Sequence, residues 1–134
     1  MTHAHFDRIR RQRGITMIEL MIVLAIVAIL GAIAVPSYRD YVVRTNRSDA
    51  FNQLLELAAC QERVYIKLNR YDDARCGLTG GTLTTNGGRY VITMTPANNN
   101  QTFTLTAAPQ GAQANDTCGT MGLTDTGTRS AKGG

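Results

Sequence analysis

Histidine is nearly absent from this chain: the only two, His3 and His5, lie at the extreme N-terminus. Everything downstream therefore lacks the commonest general base. Ser37, Ser48 and Ser130 stand in no nucleophile-elbow context, and Gly80-Gly81 belongs to no phosphate-binding loop. No catalytic residue and no cofactor is assigned, and an enzyme is not expected. Cysteine is scarce as well. Cys60, Cys76 and Cys118 form no CxxC pair, and a zinc site asks for about four well-spaced ligands, so no metal is assigned. Asp72-Asp73 offers too few oxygens by itself for calcium, which takes about six to eight. The better use of three cysteines is one disulfide with an odd thiol left over, which places the domain outside the cytoplasm. Surplus charge is also missing from the body of the chain. The formal net charge is +4, but four of the fourteen basic residues (Arg8, Arg10, Arg11 and Arg13) and one of the ten acidic residues (Asp7) precede Ile15. What remains is nearly neutral, whereas a general nucleic-acid binder concentrates its surplus on the folded domain.

What is present is sharply segregated. Residues 1–14, MTHAHFDRIRRQRG, are polar, basic and end in Gly14, the pattern of a targeting leader that does not belong to the fold. Residues 15–35 follow, interrupted only by Thr16 and Glu19. As a helix this stretch spans about 31 Å, the thickness of a bilayer core. The arginines immediately before it predict a cytoplasmic N-terminus and an outward-facing C-terminal domain. A buried helix of a soluble protein would need a larger domain around it than residues 37–134 provide. A cleaved secretory signal, for which GAIAVPS supplies small residues, leaves Glu19 without a purpose.

Pro36 follows the apolar run; within a helix it removes one backbone bond and clashes with the carbonyl of Ala32, which predicts a kink. Neither proline nor glycine occurs again before Gly77. Phe51, Leu54, Leu55, Ala58, Tyr65 and Leu68 recur at three- and four-residue steps, so one helix is predicted from about residue 16 to about 69, roughly 80 Å long. It is apolar all round first and amphipathic later. Residues 77–88 read as loop. Tyr90 to Thr95 and Thr102 to Ala107 read as a hairpin across Asn98-Asn99-Asn100, and Gly119 to Leu123 as a third short strand before a turn at 124–127. Residues 127–134 read as a mobile tail. The predicted fold is α+β: a long N-terminal helix whose second half packs on a small antiparallel sheet of about three strands. The organisation is leader 1–14, transmembrane helix 15–36 and globular domain 37–134.

The run RGITMIELMIVLAIVAILGAIAVPSYRDY resembles the N-terminus of type IV pilins and of type II secretion pseudopilins, through Gly14, the hydrophobic helix, Glu19 at the fifth position after that glycine, and Pro36. The remainder, including AACQERVYIKLNRYDD and the segment around CGTMGL, looks like PilE-type minor pilins. That resemblance implies the type IV pilin fold and a particular life cycle. A prepilin peptidase cuts between Gly14 and Ile15 and N-methylates Ile15. The subunit waits in the inner membrane with its domain in the periplasm, and assembly machinery then adds it to an extracellular fibre of pilin subunits. The family's positions carried over are Gly14 and Ile15 for processing, Glu19 for assembly and Pro36 for the bend. Ile15 stands where the family most often has Phe. No cysteine follows Cys118, so the C-terminal loop that many pilins close with two cysteines cannot close that way.

The implied function is a structural, minor subunit of a type IV pilus serving pilus biogenesis, twitching motility and adhesion. A type II secretion pseudopilin, or an adhesin or DNA-binding minor pilin displayed on the fibre, is the alternative. Four residues separate Ile15 from Glu19, so the amine freed by cutting can reach that carboxylate on its own helix or a neighbour's. Ala25, Ala28, Gly31 and Ala32 form a small-residue stripe that suits close helix approach. For nucleic acid, the one local feature is the stripe Arg63, Lys67 and Arg70, which reads more readily as a solvated face. Cys60–Cys76 is the expected disulfide, closing a loop of about 16 residues for roughly 3 kcal/mol in the chain-entropy model. Cys118 is then free or pairs between chains, and Cys76–Cys118 is the rival connectivity.

Overall fold

In the computed structural model, residues 14–132 are described; the leader calls on residues 1–13 fall outside that range. The chain divides into two units, 1–38 and 39–134. The first helix, α1, is Met17–Leu68 and includes Pro36. Its start is set by Thr16, whose hydroxyl accepts a hydrogen bond from the Glu19 N–H at 3.2 Å. Threonine at the N-cap with an acidic residue three positions on is the capping-box pattern, and it satisfies a backbone donor that the helix cannot. The helix stops where Asn69 turns into the left-handed region, at φ 54°, while its N–H still donates to the Tyr65 carbonyl at 2.8 Å. Asparagine tolerates that conformation better than most residues.

In the first unit, every apolar side chain from Ile15 to Val35 is exposed. In the second, the C-terminal part of α1 lies on a five-stranded antiparallel sheet in the order β1-β2-β3-β4-β5. The strands are β1 Thr82–Thr84, β2 Tyr90–Ala97, β3 Thr102–Pro109, β4 Met121–Thr124 and β5 Arg129–Ala131, with a short 3-10 turn Gly111–Gln113 between β3 and β4. The α+β class and the central hairpin are as expected. The strand count is not: five strands replace about three. Residues 82–84 pair with β2 inside the expected loop, and residues 129–131 pair with β4 inside the expected mobile tail. Both are three residues long, too short for a period-2 pattern to register.

Side chains alternate along β2 and β3. Tyr90, Ile92 and Met94 face inward against Phe103, Leu105 and Ala107, and Met121 and Leu123 continue the inner face onto β4. The opposite face carries Thr93 against Thr106 and Thr95 against Thr104, β-branched pairs that suit a half-exposed sheet. Ala50, Leu54 and Leu57 of α1 close the core. The fourth buried position on that stripe is Gln61. The expected apolar stripe is therefore partly displaced: Leu55 and Leu68 are exposed, while Phe51, Ala58 and Tyr65 are only half-buried.

The β3–β4 connection is tied down by a polar network. Gln113 is buried and its amide donates to the Val43 carbonyl (3.1 Å), the Tyr90 hydroxyl (3.0 Å) and Asp116 (3.1 Å), while accepting from Asn46 (3.1 Å). Arg47 grips both carboxylate oxygens of Asp116, through Nε at 2.6 Å and through its terminal nitrogen. The Arg47 bonds hold the Asp116 carboxyl down to about 2, against the opposing effect of burial. Burial pushes the Tyr90 hydroxyl up to about 12. No buried side-chain nitrogen or oxygen among the described residues lacks a partner.

Candidate functional site

Two regions carry the residues singled out from the sequence. The first is residues 14–38. Gly14 and Ile15 precede the helix and are exposed, so the bond between them is accessible. Thr16 caps the helix, and Glu19 is exposed in its first turn, where a carboxylate complements the partial positive charge of unsatisfied N–H groups. The sequence reading missed Thr16; the signal was the Thr-x-x-Glu spacing at 16 and 19. In the apolar helix that follows, Ile18, Met21, Leu24, Ile29 and Ile33 are all more than half exposed. A contiguous apolar surface of this extent is stable only when lipid or other protein covers it. Among the described residues, and apart from the adjoining backbone of its own helix, nothing lies within 4 Å of the place a side chain at Gly31 would occupy.

The second region is the end of α1 and the loop after it. Cys60 and Cys76 are joined by a disulfide, with Cα atoms 6.0 Å apart. Cys118 is unpaired and half-buried. The loop is also held by Gln61, which treats the Asp72 peptide as a base pair would: its amide donates to the Asp72 carbonyl at 2.7 Å and its oxygen accepts from the Asp72 N–H at 3.0 Å. This explains why a glutamine occupies a core position, since a buried peptide group needs a partner. Tyr71 is buried one residue earlier, edge-on to Phe103 with ring centres 4.6 Å apart, and its hydroxyl donates to Glu62 at 2.9 Å.

These ties bring cations together. Arg63 and Lys67 from α1 and Arg75 from the loop line one cleft of about 220 Å³, whose floor includes Cys60, Val64 and Leu68. All three are exposed. Arg70, the third member of the stripe read from sequence, is not among the lining residues, and Arg75 takes its place. Arg75 was legible only through the disulfide: it neighbours Cys76, and Arg63 lies three residues past Cys60. The nearby carboxylate is Asp72, whose oxygens are engaged by the Ala74 N–H at 3.0 Å and by Arg75 at 3.3 Å. Those two contacts, the backbone one first, hold its carboxyl below the ordinary range. Asp72 is thus committed within the loop. Among the described residues, no cluster of three or more histidine, cysteine or carboxylate side chains is arranged to hold a metal.

A segment at the start and a fold in the remainder each match known proteins. Residues 9–35 match the model of the prokaryotic N-terminal methylation motif. Residues 36–122 match the family described as type IV minor pilin ComP, DNA uptake sequence receptor. The chain is similar to the fimbrial protein EcpC of Eikenella corrodens, 63% identical over 31% of this chain and 27% of that one. It is similar also to a fimbrial protein of Pseudomonas aeruginosa, 36% identical over 64% of this chain and 61% of that one. The chain therefore spans between about a quarter and three-fifths of the length of these curated relatives. Among solved structures, a type IV pilin from Shewanella oneidensis superposes with a TM-score of 0.52 at 28% identity, covering 65% of this chain and 89% of that one. The chain belongs to the type IV pilins, in the family whose model carries the ComP description.

Proposed function

We propose that this chain is a minor subunit of a type IV pilus. It is inserted in the inner membrane through residues 15–36, cut after Gly14 by a prepilin peptidase, N-methylated at Ile15 and then transferred into the fibre. The observation that carries this reading is the stretch of α1 over residues 20–35, which is uncharged and whose side chains are exposed on every side. Such a helix leaves lipid without cost only when other helices replace the lipid. The methylation motif over residues 9–35 supports the processing step, and the fimbrial relatives favour a pilus over a secretion apparatus. Mass spectrometry of sheared pili tests it. The expected species begins at methylated Ile15 and occurs at far lower abundance than the major pilin. A chain that retains Gly14, or is absent from the sheared fraction while present in the membrane, counts against it.

A second reading, DNA capture by the displayed domain, is favoured by the family's printed description and by the Arg63–Lys67–Arg75 cleft. The near-neutral bulk charge of the domain does not oppose it, because a few convergent cations suffice for local phosphate contact. Neutralising a phosphate releases counterions, so each contact contributes about −0.9 to the slope of log affinity against log salt. Three contacts give a slope of roughly −3 for the detergent-solubilised full chain on a short labelled duplex. Arg63→Gln is expected to reduce its magnitude by about 1. A slope near zero for the unaltered chain would remove this reading and leave the filament role untouched.

A further inference from the structure

The loop that supplies Arg75 is anchored on both sides, and one covalent bond joins its middle to α1. Before Arg75, the buried Tyr71 and the Gln61 clamp on Asp72 hold the chain to α1. After it, Leu78 is buried in the core. Between them, Arg75 is bonded within the loop, its N–H donating to the Asp72 carbonyl and its carbonyl accepting from the Leu78 N–H, each at 3.2 Å; among the described residues, no hydrogen bond joins residues 73–77 to the helix, and the Cys60–Cys76 disulfide is their direct tie to it. The backbone there is not relaxed. Cys76 sits in the left-handed region at φ 64° and is followed by Gly77 at φ 82°. For a residue with a side chain that conformation costs on the order of 1 kcal/mol, a cost that a released Cys76 is free to relieve.

Electrostatics pushes the same way. Arg63, Lys67 and Arg75 share one cleft, and like charges held close repel until an anion arrives. The Asp72 contact to Arg75, at 3.3 Å and with the arginine side chain 57% exposed, lies within the loop itself. An exposed pair of that kind is worth at most about 1 kcal/mol and does not hold Arg75 toward Arg63. The covalent bond does. From this we infer that the Cys60–Cys76 disulfide is the positioning element of the DNA-capture surface. Closed, it holds Arg75 across the cleft from Arg63 and Lys67 so that adjacent phosphates of a duplex meet three cations. Open, it lets Arg75 withdraw while Gln61 and Tyr71 keep the fold. The inference rests on the DNA reading above.

The test compares salt slopes for the full chain in detergent on a short labelled duplex of mixed sequence, with circular dichroism as the check on fold. Arg75→Gln is expected to lower the magnitude of the slope by about 1, and Cys60→Ser/Cys76→Ser to lower it by the same amount. Arg75→Gln added to the double serine variant is expected to change nothing further, because the two changes remove one contact between them. Arg63→Gln added to that same variant is still expected to take away about 1, showing that the rest of the surface is intact. If the serine variant loses its helical signal, the unaltered chain before and after dithiothreitol treatment supplies the same comparison. A slope in the serine variant or the reduced chain equal to that of the oxidised chain overturns the inference alone. So does a full additional loss from Arg75→Gln in the serine background. Absence of salt-dependent binding by the unaltered chain overturns the DNA reading and this inference together.

Discussion

On the proposed processing, Glu19→Val is expected to insert into the membrane and to be cut after Gly14, yet to reach the sheared fibre at least about tenfold less often, a loss equivalent to about 1.4 kcal/mol per subunit transferred. The expectation starts from cost. A carboxylate within an apolar helix is expensive in lipid and in a helix bundle, and such residues are functional by default. The structure adds a local role that the sequence reading did not contain. Glu19 stands in the first turn, its N–H bonded to Thr16, where a negative charge suits the helix terminus. That role is worth less than about 1 kcal/mol at an exposed end and does not explain a tenfold deficit. On the proposed processing, the amine freed at Ile15 is the candidate partner large enough to matter, four residues away on the same helix or on a neighbour's. Glu19→Gln separates the two. It keeps a polar N3 side chain and removes the charge, so it is expected to incorporate as poorly as Glu19→Val. The measurement is the ratio of tagged variant to tagged unaltered chain in membrane and sheared-pilus fractions. Normal incorporation of the valine variant would show that the carboxylate does not guide assembly. Normal incorporation of the glutamine variant alone would assign the effect to helix capping.

The sequence made some of this molecule readable and hid the rest for physical reasons. The uncharged run from Leu20 to Val35 announces itself, because a bilayer-length apolar helix needs no tertiary information to recognise. The hairpin was legible from the alternation of Phe103 and Leu105 with threonines and from three asparagines, all of which adopt left-handed conformations in the turn. The amphipathic half of α1 was read with its stripe rotated. Hydrophobicity chose Leu55 and Leu68, but the buried face includes Ala50 and Gln61, a small residue and a polar one. Gln61 is inside because the Asp72 peptide needs it there, and Asp72 is eleven residues away. No local pattern encodes that. The edge strands β1 and β5 were missed because three residues pair only when a neighbouring strand is already in place. Two of the three stripe residues line the cleft. Arg63 and Lys67 follow from helical spacing, whereas the exchange of Arg70 for Arg75 depends on how the loop returns to the helix.

The Arg47–Asp116 pair was equally invisible, being sixty-nine residues apart in the chain, and it carries the largest expected effect on stability. Asp116→Asn is expected to cost the folded domain about 3 kcal/mol at neutral pH. Breaking a buried pair from one side leaves the other charge poorly compensated, and Arg47 keeps about a quarter of its side chain exposed to soften the loss. The effect has a pH signature. Asp116 is held down to about 2 in the folded chain, against an ordinary value of 3.8 when unfolded. A carboxyl with a depressed folded value stabilises the fold fully above its unfolded value and loses that contribution as pH falls toward its folded value. The unaltered domain should therefore lose stability steeply between about pH 5 and pH 2, and Asp116→Asn should flatten that limb. Asp72, also held below the ordinary range, titrates in the same direction and leaves a smaller residual slope in the variant. Urea unfolding of the full chain in detergent at a series of pH values measures both. Because the Cys118 N–H also donates to Asp116, at 3.2 Å, the variant should expose the half-buried Cys118 thiol to alkylating reagents faster at neutral pH. A parallel acid limb in the two proteins, with unchanged thiol reactivity, would mean that the Arg47–Asp116–Gln113–Tyr90 network does not anchor the β3–β4 connection to α1.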